Sequence, residues 1–180
     1  MRHPFPRLLV LVPHRDARLP MRAWSGSLFA GGLLGAWSFP WVVPLAALDR
    51  PLPDAELRSI AGIIREHSRP NGGKFTSGPA ALAPLPFATP LKPVFALGPT
   101  LDIVPPGFFP ETRGGTPISP TVWGAALVYG HMPENLPAPP QIPFRAAALA
   151  TMRFRPLPLE SGQGDYSFAW KIGKPHWLPK

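Results

Sequence analysis

Short apolar runs separated by prolines dominate the chain. Leu8-Leu9-Val10-Leu11-Val12 is continuous, apolar and closed by Pro13, the pattern of a buried strand. Residues 16–34 follow as a helix with Met21, Trp24, Leu28 and Phe29 as its apolar stripe and Gly35 as its stop. Residues 41–48 form a second strand-like run. Pro44 in its middle deletes one ladder donor, which predicts an edge strand or an irregular one. The clearest helix spans 53–68. Pro53 suits its first turn, Asp54 and Glu56 complement the positive end of its dipole, and Arg65 and His67 the negative end. Leu57, Ile60, Ala61 and Ile64 recur at i, i+3, i+4 and i+7, so they form its core-facing stripe.

Pro70 and Asn71-Gly72-Gly73 end that helix, and strands are expected at 74–82 and 94–97. Residues 98–120 hold six prolines and four glycines and read as a long irregular connection. Residues 121–129 form another apolar strand, and a second proline-rich connection covers 130–143. Along 144–155, Phe144, Ala146, Ala148, Ala150, Met152 and Phe154 alternate with Arg145, Ala147, Leu149, Thr151, Arg153 and Arg155. Across a glycine-containing turn, Tyr166, Phe168, Trp170 and Ile172 alternate with small or polar residues, completing an antiparallel hairpin. This order predicts an α+β fold with antiparallel sheet. It forms a single domain over 1–180, with 98–120 as the place where two similar halves would divide.

Composition refines that picture. The 180 residues include 29 Pro and 17 Gly, a fraction near the disordered range, yet 45% are hydrophobic and there are 6 Trp and 11 Phe. Proline density excludes long bundles and coiled coils, because few helical windows escape interruption. Eighteen Lys and Arg against 10 Asp and Glu give +8, a balance that favours phosphate-bearing partners such as RNA or nucleotides. With no Cys, disulfides, thiol nucleophiles and thiolate metal sites are excluded, and a cytoplasmic setting is the expectation. Basic residues from Arg2 to Arg22 precede an uncharged stretch at 23–48, but glycines and prolines split that stretch below the ~20 apolar residues of a spanning helix. No membrane insertion is expected, and a monomer is favoured.

The element order and three local segments resemble the 2H phosphoesterase superfamily, the group of the 2′-5′ RNA ligases and cyclic phosphodiesterases. Arg7-Leu8-Leu9-Val10-Leu11-Val12 is similar to the opening strand of that superfamily. Gly35-Ala36-Trp37-Ser38-Phe39-Pro40, the run 41–48 and the helix 53–68 are similar to the segment that carries the first His-x-Thr/Ser motif. Residues 144–155 with 166–172 are similar to the closing hairpin. The resemblance implies a bilobal fold of antiparallel sheets with helices packed outside. It also implies two His-x-Thr/Ser motifs facing each other, one His as general base and one as general acid on a phosphodiester.

At the matching positions stand Val42 and Pro44 in the first strand and Val122 and Gly124 in the second, or Thr121 and Trp123 in the alternative register. Valine cannot take and return a proton as imidazole does near neutrality. The resemblance therefore implies a degenerate active site, whose cleft binds RNA or nucleotide phosphates or serves only as a scaffold. His14 and His131, each following an expected strand, are the candidates for relocated catalysis in an active cyclic phosphodiesterase. Arg145, Arg153 and Arg155, with Lys171 on the next strand, are the candidate phosphate-binding residues, and Trp170 and Trp177 the candidate stacking partners. A protein-interaction module using the proline-rich connections 98–120 and 130–143 is the remaining class. No two histidines lie at metal-ligand spacing, and no phosphate loop or nucleophile elbow is present, so no metal or cofactor is expected.

Overall fold

Strand pairing in the structure follows the apolar runs. The computed structural model describes residues 7–30, 42–71, 74–76, 81–84, 94–100, 115–117, 121–127, 143–158 and 166–178. In chain order the elements are β1 (Arg7–Pro13), α1 (Arg15–Ala30), β2 (Val43–Leu48), α2 (Asp54–Ser68), a 3-10 turn (Arg69–Asn71), β3 (Lys74–Thr76), β4 (Ala81–Pro84) and β5 (Val94–Thr100). They continue with β6 (Gly115–Pro117), β7 (Thr121–Leu127), β8 (Pro143–Pro158), β9 (Tyr166–Ile172) and β10 (His176–Trp177). One sheet runs β10-β8-β1-β2-β6, with β3 and β9 also pairing with β8; a second runs β4-β5-β7. Every pairing is antiparallel. The fold is mixed α+β.

Residues directly opposite each other in an antiparallel ladder share a face, so register sorts the side chains of the large sheet. Arg7, Leu9 and Leu11 align with Leu48, Ala46 and Val43 of β2 and with Arg153, Thr151 and Leu149 of β8. On that face Leu9, Leu11, Val43, Ala46, Leu48 and Leu149 join Leu57, Ile60, Ala61 and Ile64 of α2 in one buried cluster. The helical stripe read from the sequence is thus the surface that α2 lays on the sheet. Each of the Leu, Ile and Val side chains among them contributes about 1.5–3 kcal/mol when fully buried. The opposite face carries Leu8, Val10, Ala148, Ala150 and Met152, all fully buried. Elsewhere β7 reaches β2, and α1 touches both β7 and β8. Burial on both faces is why residues 8–12 read as continuous rather than alternating apolar sequence.

Several boundaries depart from the expectations, each for an identifiable reason. Residues 98–120 are not wholly irregular: β5 continues to Thr100, and Gly115–Pro117 pairs with β2. The run 74–82 divides into β3, which pairs with β8, and β4, which belongs to the other sheet. Proline 44 does not place β2 at an edge, since β2 lies between β1 and β6. It makes the strand irregular instead. The register passes from Leu9↔Ala46 to Val10↔Pro44, leaving Leu45 as an extra residue at a bulge. A bulge accommodates the missing proline N–H without orphaning a partner carbonyl.

Between β9 and β10 the chain turns sharply against β8. Gly173 N–H donates to the Thr151 carbonyl at 2.8 Å. A Cβ on Gly173 would stand 2.8 Å from Thr151 Oγ1 and 3.4 Å from the Thr151 carbonyl oxygen. Thr151 is β-branched and stiff at χ1, so it cannot simply swing away. Gly173→Ala is expected to lower stability by about 1–3 kcal/mol. Adding Thr151→Ser, which keeps the oxygen but frees χ1, should recover part of the loss and Thr151→Ala more of it, measured as a double-mutant cycle in urea.

Candidate functional site

Two of the motif positions fall on the large sheet, and both are buried. Pro44 pairs with Val10 on the face opposite α2, and Val42, two residues earlier, shares that face by alternation. Val42 is 1% exposed, and on the same face Leu8, Val10, Ala148, Ala150 and Met152 are all at 0%. A buried apolar surface offers no bound phosphodiester a hydrogen bond and no general acid or base a water path. Val122 and Gly124 lie on β7, as do Thr121 and Trp123 of the alternative register. Contact between β2 and β7 brings the two motif strands near one another.

His14 sits at the junction of β1 and α1. Its carbonyl accepts the Ala17 N–H at 3.1 Å, and its Nδ1 lies 3.0 Å from Asp16 Oδ2. His131 lies outside the described residues. His176 occupies a different place, where β10 meets the start of α2. Its Nε2 is sealed from water with no hydrogen-bond partner and stands 3.8 Å from Asp54 Oδ1, while Lys174 Nζ is 3.7 Å from Asp54 Oδ2. Asp54 thereby ties the first turn of α2 to the β9–β10 connection. Nothing in the sequence spacing signals this contact. Among the described residues, no three potential metal ligands lie together.

The basic candidates separate into two places. Arg153 faces Lys171 across the β8–β9 pair, and both are exposed. Arg155 is two residues further along β8, opposite Ala169. Arg145 lies at the other end of β8, opposite Lys74 of β3. At the rise of a strand, the eight residues from Arg145 to Arg153 span about 26 Å. The register shift between Val12↔Ala148 and Pro13↔Ala146 also breaks the simple alternation that put both on one face. Trp177 is exposed but pairs with Ala148, whose face is the one opposite α2, so it does not stand beside Arg153. Trp170 is opposite Phe154 in the ladder.

One residue that the sequence did not single out joins Arg153 and Lys171. Arg7 faces Arg153 across the β1–β8 pair. Opposed Cα atoms in such ladders are about 4.5–5.5 Å apart, so Arg7, Arg153 and Lys171 stand in a line about 10 Å long across three strands. On its inner side the line ends at the buried Leu48. Arg7 is half-buried, and its Nε is shut off from water with no hydrogen-bond partner. A buried donor left unsatisfied costs about 1–3 kcal/mol, and opposed like charges cost a further fraction of that.

No carboxylate offsets the row among the described residues. Asp16 is engaged by His14 and Arg15, Asp54 by Lys174 and His176, Glu56 by Arg50, and Glu66 by Arg65 and Arg69. Asp49 follows Leu48 and is exposed, without an ion pair to Arg7. The chain matches no family model, no curated protein and no solved structure. Among the described residues, a shallow groove on α2 is lined by Ser59, Gly62, Ile63, Arg65, Glu66 and His67. Its Arg65 and Glu66 side chains lie 3.6 Å apart in an ion pair of their own.

Proposed function

We propose that the chain is a phosphate-binding protein of the 2H phosphoesterase type that holds RNA or nucleotides without the two-histidine chemistry of that superfamily. The observation that carries this reading is the exposed pair Arg153 and Lys171, opposed across β8 and β9, with no carboxylate paired to either among the described residues. Guanidinium and ammonium groups held side by side on a sheet suit successive phosphoryl oxygens. Supporting the non-catalytic part are the burial of Val42 and Pro44 and the absence of a histidine from the face that they share, among the described residues. The approach of β2 to β7 supports the two-strand arrangement that the resemblance implies.

Among the described residues, no helix is long and apolar enough to cross a membrane. With RNA as ligand, binding of a labelled decauridylate should weaken steeply with salt. Arg153→Gln combined with Lys171→Gln should reduce affinity about tenfold at low salt, by removing two phosphate contacts. Incubation with 2′,3′-cyclic nucleotides should give no turnover above buffer. Turnover lost on His14→Ala would instead establish the relocated-catalysis alternative.

A further inference from the structure

We infer that Arg7, Arg153 and Lys171 form one phosphate-binding row on the α2 side of the large sheet. This deepens the phosphate-binding reading and rests on it, and it moves the site away from the strand face where the motif positions Val42 and Pro44 are buried. Three observations converge. Register places the three cations on consecutive strands at neighbouring positions. Each described carboxylate other than Asp49 is already engaged by a cation outside the row. The inner member, Arg7, holds a buried Nε–H with nothing to donate to.

A fold tolerates three opposed like charges and an idle guanidinium N–H when an external anion completes them. Phosphoryl oxygens fit this arrangement. The guanidinium of Arg7 offers a planar fork from the half-buried inner end of the row, and Arg153 and Lys171 supply charge at its exposed outer end. A row about 10 Å long spans more than one phosphate group. The shared chemistry is two linked phosphates, whether from a nucleic-acid backbone or from a compact diphosphate. Trp177 is on the other face, so the row recognises phosphate without base stacking from that residue. Asp49, the described carboxylate without an ion pair, follows Leu48 at the inner end of the row and opposes anion binding, and Asp49→Asn should tighten it.

The test uses the full chain with two probes, decauridylate and inorganic pyrophosphate, titrated from low to moderate salt. Arg7→Gln, Arg153→Gln and Lys171→Gln should each reduce the slope of log K against log salt for decauridylate by about 0.7. Arg69→Gln, an exposed cation paired with Glu66 outside the row, should leave the slope unchanged. Arg7→Lys keeps the charge but loses the fork, so the slope should persist while pyrophosphate affinity falls about threefold. This variant also guards against misfolding of Arg7→Gln. Decauridylate binding far tighter than pyrophosphate identifies a strand as the source, and comparable affinities identify a compact diphosphate. Decauridylate binding that responds to Arg153→Gln and Lys171→Gln but not to either Arg7 variant overturns the three-membered row and leaves the broader reading standing. Pyrophosphate bound through all three, with no decauridylate binding, retains the row and removes RNA as the ligand. Binding of neither probe overturns both.

Discussion

Ile64→Ala is expected to lower the stability of the chain by about 3–4 kcal/mol. Ile64 is fully buried in the cluster that joins α2 to β1, β2 and β8. Removing three carbons there forfeits their transfer free energy and leaves a cavity between a helix and a sheet that cannot both relax. Domains of ordinary size have about 5–15 kcal/mol in hand, so one substitution would remove a large share. A urea melt should show the midpoint falling by about 1–3 M with the m-value unchanged. Ile63→Ala, next to it but only partly buried at the rim of the cluster, should cost clearly less. Equal losses at the two positions, or a loss below about 1 kcal/mol at Ile64, would mean that α2 does not seat on the sheet through the Leu57–Ile64 stripe.

That stripe was legible because a helix declares its buried face within eight residues of sequence. So did β1, whose five consecutive apolar residues describe a strand covered on both sides, and β9, whose boundaries match the alternating run 166–172. What stayed hidden depends on pairing between distant segments. β6 and β10 are three and two residues long and carry no periodicity of their own; each exists because β2 and β8 present a free edge to it. The bulge at Leu45 was foreshadowed by Pro44, but which of the two expected outcomes it would produce depended on whether β6 arrived on the outer side. The same distinction separates the site residues. A basic hairpin could be read from Arg153 and Lys171, whereas Arg7 reads as the polar start of an apolar strand. Only the register of β1 on β8 places it opposite Arg153. Arg145 illustrates the converse, sharing a sequence alternation with Arg153 while lying at the far end of β8 opposite Lys74.

Introducing an imidazole at Val42 should injure the fold rather than create an enzyme. Val42→His places a larger, polar ring at a site that is 1% exposed, on a face where Leu8, Val10, Ala148, Ala150 and Met152 are fully buried and apolar. Even uncharged, the ring leaves at least one nitrogen without a partner, and together with overpacking this should cost about 2–4 kcal/mol at pH 8. Burial penalises the charged form, so the introduced group would have a folded-state pKa below its unfolded value of about 6.5. Protons then bind the unfolded state preferentially as pH falls through that value. Stability should decline further, by up to about 1.4 kcal/mol per pH unit, until the folded-state pKa is reached. Urea midpoints of wild type and variant at pH 8.0 and pH 5.5 give the comparison, and the gap between them should widen at the lower pH. A gap that is small at pH 8.0 and constant, accompanied by new turnover of 2′,3′-cyclic nucleotides, would show this face to be an open cleft instead. The widening gap is the expected result, because the face that holds Val42 and Pro44 is buried apolar core on this sheet, and Arg7, Arg153 and Lys171 stand on the other face.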